Sequence, residues 1–292
     1  MRHEPSIRAA NVPAPLPAAA VARLAGLYPL EAGKIAHDLA GHPLLMPAAL
    51  AEAAQQMDPA TVECREARNR NGEGFAFAGA GDSDPAATIL DIAKAGRWVM
   101  LAKIEQLPEY AALLEDVMDA LGPAIRPATG APLRLQGFVF VSSPGALTPF
   151  HMDPEYNILF QIAGRKRFAV CPGEGAWLTD AVNERYHQDG NNLLAWHDTY
   201  AAAATVHPLA PGEALFVPYK CAHWVEVESE PSVSLSLTWC SASSFEQEAA
   251  WRLNAWLRRR GLSPHRPARL PARNRGMALA WRALDRLGWG SR

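Results

Sequence analysis

Thr148-Pro149-Phe150-His151-Met152-Asp153 opens a run that continues through Asn157-Ile158-Leu159-Phe160-Gln161-Ile162. It turns at Ala163-Gly164 and resumes as Lys166-Arg167-Phe168-Ala169-Val170. One residue separates His151 from Asp153, and on a β-strand residues i and i+2 point to the same face. An imidazole nitrogen and a carboxylate oxygen then converge on one point. A third donor must come from elsewhere, and His223 is the natural one. It follows Pro211-Gly212-Glu213-Ala214-Leu215-Phe216-Val217-Pro218, a turn and then a short apolar strand. His207 is the rival, but it precedes a proline and comes before that turn. Two His and one carboxylate on one side of a metal leave the remaining positions open, which suits non-haem Fe(II) and its oxygen chemistry.

Other features agree with this reading. Gly164 reads as the turn of a short hairpin that brings the next strand back beside the first. Lys166 on that second strand can face the same interior, whereas the run Arg165-Lys166-Arg167 is also what a solvated turn looks like. Thr148, three residues before His151, offers a hydroxyl. On these residues the segment resembles the JmjC-type and cupin-like Fe(II)/2-oxoglutarate hydroxylases, the group that includes asparaginyl hydroxylases acting on proteins. The resemblance covers roughly residues 130–245, an ordinary domain size.

The resemblance implies a double-stranded β-helix, the jelly-roll or cupin barrel, with α additions. It implies that His151, Asp153 and His223 form the iron triad. By the same resemblance Lys166 pairs with the distal carboxylate of 2-oxoglutarate, with Thr148 beside it and Asn157 as a polar neighbour of the cosubstrate. The chain departs from some relatives on the late wall strand, where Ser236 and Thr238 stand in place of Asn; Thr238 is taken as part of the cosubstrate pocket. The implied reaction uses Fe(II), 2-oxoglutarate and O2, and ends in hydroxylation of a protein or peptide side chain. Two alternatives stay open: a metal-binding cupin-like sensor or transcriptional regulator without turnover, and a JmjC-type demethylase using the same centre.

With 292 residues the chain can form one large domain or two small ones, and 49% hydrophobic residues suffice for a sizeable core. The net charge of −2 is unevenly spread. From Glu246 onward eleven Arg face three acids, so the C-terminal region carries about +8 and the remainder about −10. Such a tail could touch nucleic acid. The preferred reading is the solvated face of amphipathic helices that pack on the barrel or join two copies as a homodimer, and no nucleic acid is expected. Cys64, Cys171, Cys221 and Cys240 form no CxxC pair, so free thiols in a reducing cytoplasm are expected. No secretory leader and no run able to span a bilayer is evident.

In chain order, residues 1–125 read as a mostly helical region buttressing the barrel, 126–245 as the jelly-roll core and 246–292 as an Arg-rich helical region. A proline-rich arm over 1–17 precedes a helix over 18–27. Leu30–Leu39 has apolar residues at helical spacing, and a further helix opens at Pro47. Thr61–Cys64 reads as an edge strand and Asn69–Asp84 as a glycine-rich loop. Helices follow from Pro85 to Ala95 and from Leu107 to Leu121, the second stopped by Gly122-Pro123. Strands are expected near 135–142, 205–209, 214–217, 224–227 and 232–239. Residues 172–200 read as a long loop and candidate substrate lid, with His187 and His197 at its surface. Trp177, Tyr186, Trp196 and Trp224 either line a groove or fill the core, and Trp224 is read as packing beside His223. Cys221, two residues from His223, is likewise read as packing. Helices over 245–260 and 275–287 close the chain.

Overall fold

The computed structural model describes residues 14–74 and 84–289; residues 1–13 of the arm expected over 1–17, the middle of the glycine-rich loop, 75–83, and residues 290–292 lie outside the described residues. Proline starts most helices of the first third. Its missing N–H is one the first helical turn leaves unpaired anyway. Ala18–Leu27 forms α1, the strand Gly33–Ala36 forms β1, and Pro47–Gln56 forms α2. Val62–Glu66 is β2, Pro85–Leu90 is α3, Ile92–Ala95 is α4, Arg97–Ala102 is β3 and Pro108–Thr129 is α5.

Two expectations fail here. The helix expected over Leu30–Leu39 is β1, hydrogen-bonded antiparallel to a later strand. Its inward residues are Gly33 and Ile35, a period of two, while Leu30 is 52% exposed. Gly33 lies so close to α1 that a Cβ there would sit 2.7 Å from Leu27 Cδ1, so contact with the rest of the fold overrides local spacing. Helix α5 also runs through Gly122-Pro123 to Thr129. Pro123 and Pro127 lie on its exposed side while Leu121, Ala124 and Ile125 stay buried. The carbonyls that lose their intrahelical donors can therefore turn to water.

The remaining strands are β4 (Leu133–Ser142), β5 (Leu147–His151), β6 (Tyr156–Ala163), β7 (Lys166–Val170), β8 (Thr205–Leu209), β9 (Glu213–Val217), β10 (His223–Val227) and β11 (Ser232–Cys240). Asp180–Asp189 forms α6, Ala242–Arg258 forms α7 and Arg275–Arg286 forms α8. The strands make two antiparallel sheets. The larger runs β1-β9-β6-β11-β4-β3-β2 and the smaller β5-β10-β7-β8. Strands β4 to β11 thus divide four and four between two facing sheets, alternating except at the β7–β8 pair, which is the double-stranded β-helix, or jelly roll. Strands β1, β3 and β2 extend the edges of the larger sheet.

This topology corrects the hairpin expected at Gly164. Strand β6 pairs with β11 and β9, whereas β7 pairs with β10 and β8. The turn is a corner between sheets. Gly164 has φ +68°, and any Cβ there would collide with the Pro231 carbonyl. The glycine signal is real, but a positive φ serves a corner as well as a hairpin.

The outer face of the larger sheet is the main core. Tyr156, Ile158, Phe160, Phe216, Leu235, Leu237 and Trp239, all fully buried, pack with Leu24 of α1 and Leu114, Val117 and Leu121 of α5. The loop expected over 172–200 contains α6, capped by the Thr179 hydroxyl at the N–H of Val182 and ended by Gly190 in the left-handed region. Its low hydrophobicity hid it, since it docks by polar contacts. Arg258 of α7 bonds Glu184 of α6 at 2.7 Å and Asp180 at 3.2 Å, and Arg266 reaches Asp180 at 3.2 Å. Part of the basic C-terminal charge is therefore neutralised within the fold. No described helix is long and apolar enough to cross a membrane.

Candidate active site

The pairing of β5 with β10 places His151 directly opposite His223. Opposed residues of an antiparallel pair hold their Cβ atoms about 5 Å apart, and the two imidazole centroids are 4.2 Å apart. Each ring is oriented by the backbone carbonyl two residues before it. His151 Nδ1 lies 2.7 Å from the Pro149 carbonyl and His223 Nδ1 lies 2.9 Å from the Cys221 carbonyl. A carbonyl only accepts, so Nδ1 carries the proton in both rings and Nε2 is the nitrogen left to ligate. Burial, aided by neighbouring His151, pushes the His223 pKa well below its ordinary value, which keeps that ring neutral.

Asp153 stands two residues beyond β5's last ring, on the turn into β6 rather than on the strand itself. Its Oδ1 is 3.8 Å from His151 Nε2 and its Oδ2 is 3.5 Å from His223 Nε2. One donor atom from each residue lies within 4.8 Å of the others. Two neutral imidazoles and one carboxylate are the donor set of an open-sided divalent centre, and carbonyl partners behind both rings are the usual second layer. The Asp153 carbonyl accepts from the Lys220 N–H at 3.0 Å, and Asn192 Nδ2 lies 3.5 Å from Oδ1. Leu193 bridges to His151, so residues 192–194 form a strap along β5.

These three residues line one end of a cavity of about 300 Å³ between the sheets. Thr148, Asn157, Lys166 and Thr238 line the same cavity, as do Ser236 and Glu155. Lys166 is 3% exposed and crosses the interior from β7 to β11, where Nζ donates to Ser234 Oγ at 2.7 Å. Among the described residues no carboxylate pairs with it. Burial therefore pushes its pKa down to about 7. Nearby, Thr238 Oγ1 is buried without a hydrogen-bond partner among the described residues, while Ser236 Oγ donates to Asn157 Oδ1 at 2.6 Å. A buried cation without a counter-charge and an unfilled hydroxyl are costly features unless something anionic and polar occupies the space.

His207 does not join the cluster; it lies on β8 beside Phe168. Cys221 is buried, with its thiol pushed up to about 12, and is no ligand candidate. Trp224 packs in an apolar cluster with Phe150 and Trp177, as expected. His187, expected at the surface, is 8% exposed and bonds Lys220. Ser234, Asn192 and Glu155 were not anticipated at the site. The alternation Ser232-Val233-Ser234-Leu235-Ser236-Leu237-Thr238-Trp239 was the available signal for a hydroxyl-lined inner face. Burial and the adjacent Asp153 push Glu155 up to about 8.

No family model matches the chain. Structurally it is similar to Escherichia coli YcfD, with a TM-score of 0.50 and 15% identity over 88% of this chain and 63% of that one. In sequence it is 33% identical over 102 residues to Jumonji C domain-containing protein 5 of Drosophila melanogaster, covering 32% of this chain and 25% of that protein. The jelly-roll fold is shared with YcfD, and a stretch of the sequence with the Jumonji C protein. The mouse HSPB1-associated protein 1 is 26% identical over 174 residues, 54% of this chain and 36% of that protein. The chain thus spans well under half the length of these two relatives.

Proposed function

We propose that this chain is an Fe(II)- and 2-oxoglutarate-dependent oxygenase that hydroxylates a side chain of a protein or peptide. The observation that carries the reading is the sharing of one cavity by the His151–Asp153–His223 cluster and an uncompensated buried Lys166. In this reading His151, Asp153 and His223 hold the metal. When bound, Fe(II) with 2-oxoglutarate and O2 supplies an oxidant for an unactivated C–H bond, with succinate and carbon dioxide as co-products.

The chain's own residues do the rest. The backbone carbonyls of Pro149 and Cys221 leave Nε2 of both rings as the nitrogen to ligate. Lys166 holds the distal carboxylate of 2-oxoglutarate as a fixed point charge in a dry interior. Thr148, Asn157 and Thr238 supply further polar contacts to it, and the free Thr238 hydroxyl is placed to donate. Phe138, Phe140, Leu159 and Phe168 keep water away from the same space, which strengthens each of these contacts. Glu155, Tyr186 and Asn192 line the same cavity as Asp153, polar groups able to hydrogen-bond a protein or peptide substrate. Pairing of two copies through α7 and α8 belongs to this reading; Leu279, Leu287 and Trp289 are 64%, 66% and 50% exposed there. Light scattering on the full chain checks it, and a monomer at all concentrations removes it.

The test is succinate release from 2-oxoglutarate under air with added Fe(II), followed by NMR. Wild-type protein is expected to turn over cosubstrate slowly even without substrate, and Asp153→Ala is expected to be silent. Equal succinate release by the two proteins would overturn the reading.

A further inference from the structure

Lys220 lies three residues before His223, on the loop joining β9 to β10. It is 4% exposed. Its Nζ donates to Asn183 Oδ1 and to His187 Nε2, both at 2.8 Å and both on α6. The rings of Tyr186, Tyr219 and Trp251 surround the ammonium at 5.8, 5.6 and 5.8 Å, a distance at which aromatic faces attract a cation. Among the described residues no carboxylate pairs with it. Its backbone is in the left-handed region, φ +58°, uncommon for a residue with a side chain. From that conformation its N–H reaches the Asp153 carbonyl at 3.0 Å. The next residue, Cys221, supplies the carbonyl that orients His223.

One residue therefore joins three things. Its side chain is tied to α6 and to Trp251 of α7, its N–H to the turn carrying Asp153, and its peptide chain to His223. A methionine would fill the same volume without burying a charge, and an asparagine or glycine would take the backbone conformation more readily. Strain and burial combined at one position beside a site point to positioning rather than packing.

We propose that Lys220 is a positioning residue. Its ammonium, held by α6 and the aromatic cage, locks the β9–β10 loop so that Asp153 and His223 keep their ligand geometry. This rests on the reading of His151, Asp153 and His223 as a metal site.

The test uses the full chain and Co(II) as probe, read by binding affinity and by the visible d–d spectrum. Lys220→Met is expected to weaken Co(II) binding about ten- to a hundredfold, the range for residues behind metal ligands, and to change the spectrum. His187→Ala should weaken it in the same direction, and the double variant should be no weaker than Lys220→Met alone. Trp281→Ala, a destabilising change on the distant α8, should leave affinity and spectrum as in the wild type. Lys220→Met binding Co(II) within twofold of wild type, with the wild-type spectrum, overturns the proposal. If Lys220→Met fails to fold, His187→Ala and Asn183→Ala decide: unchanged affinity and spectrum in both overturn it. A wild-type chain that binds no Co(II) overturns the metal reading itself, and with it this one.

Discussion

The two faces of β11 carry opposite chemistry. Val233, Leu235, Leu237 and Trp239 point outward into the apolar core under α1 and α5. Ser232, Ser234, Ser236 and Thr238 alternate with them and point into the barrel, and all eight are at most 4% exposed. Both faces are dry, yet only one is apolar. The outer face lowers the free energy of the fold by burying carbon. The inner face buries hydroxyls and, through Lys166, a charge that the protein alone does not neutralise. The lesson is that stability and ligand capture are divided between the faces of one strand, so substitutions one residue apart should act on different observables.

The largest effect expected is on the ligand side. Asp153→Ala should abolish succinate release while leaving the far-UV circular dichroism unchanged; residual turnover near the wild-type level would separate Asp153 from the chemistry. On the stability side, Leu235→Ala should cost about 2–5 kcal/mol, as fully buried leucines do, seen in chemical denaturation of the metal-free protein. A cost near zero would mean the outer face is not the main core.

Lys166→Met should split the two observables most cleanly. Removing the counter-charge of a bound carboxylate should weaken 2-oxoglutarate by about 10²-fold, measured by calorimetry. Removing an unpaired buried charge should leave the metal-free fold as stable or raise it by about 1–4 kcal/mol. Loss of both together would make Lys166 a structural residue. The same lysine sets a pH dependence. With its pKa pushed to about 7, it is charged below that pH, and 2-oxoglutarate affinity should be flat there. Above it a proton must be taken up on binding, so the dissociation constant should rise about tenfold per pH unit. In Lys166→Met that slope should vanish. The smallest effect belongs to Ser236→Ala, which removes one hydrogen bond to Asn157 and should change stability by about 1 kcal/mol or less, with a few-fold loss in cosubstrate affinity.

The site was largely legible because its signals are local. His151 and Asp153 share a spacing, Lys166 opens the next strand, and His223 follows a turn and an apolar run. Their assembly into one cavity was less legible, since Gly164 reads as a hairpin and as a corner equally well. Strand β1 was hidden because Ile35 and Leu39 are four residues apart, a helical spacing, while the residues of the strand itself alternate. Helix α6 was hidden because it docks through Arg258, Glu184 and Lys220 rather than an apolar stripe, and periodicity reads only apolar stripes. Its buried His187 was assigned to the surface for the same reason.

The central claim is that the His151–Asp153–His223 cluster and Lys166 serve one ligand pair. The measurement that tests it most directly is an anaerobic titration with Fe(II) and then 2-oxoglutarate, followed by visible absorption. A weak charge-transfer band should appear only after both additions. It should be absent in His151→Ala and demand far more 2-oxoglutarate in Lys166→Met. Fe(II) binding with no band at any 2-oxoglutarate concentration would contradict the claim and bring forward a metal-binding protein without turnover.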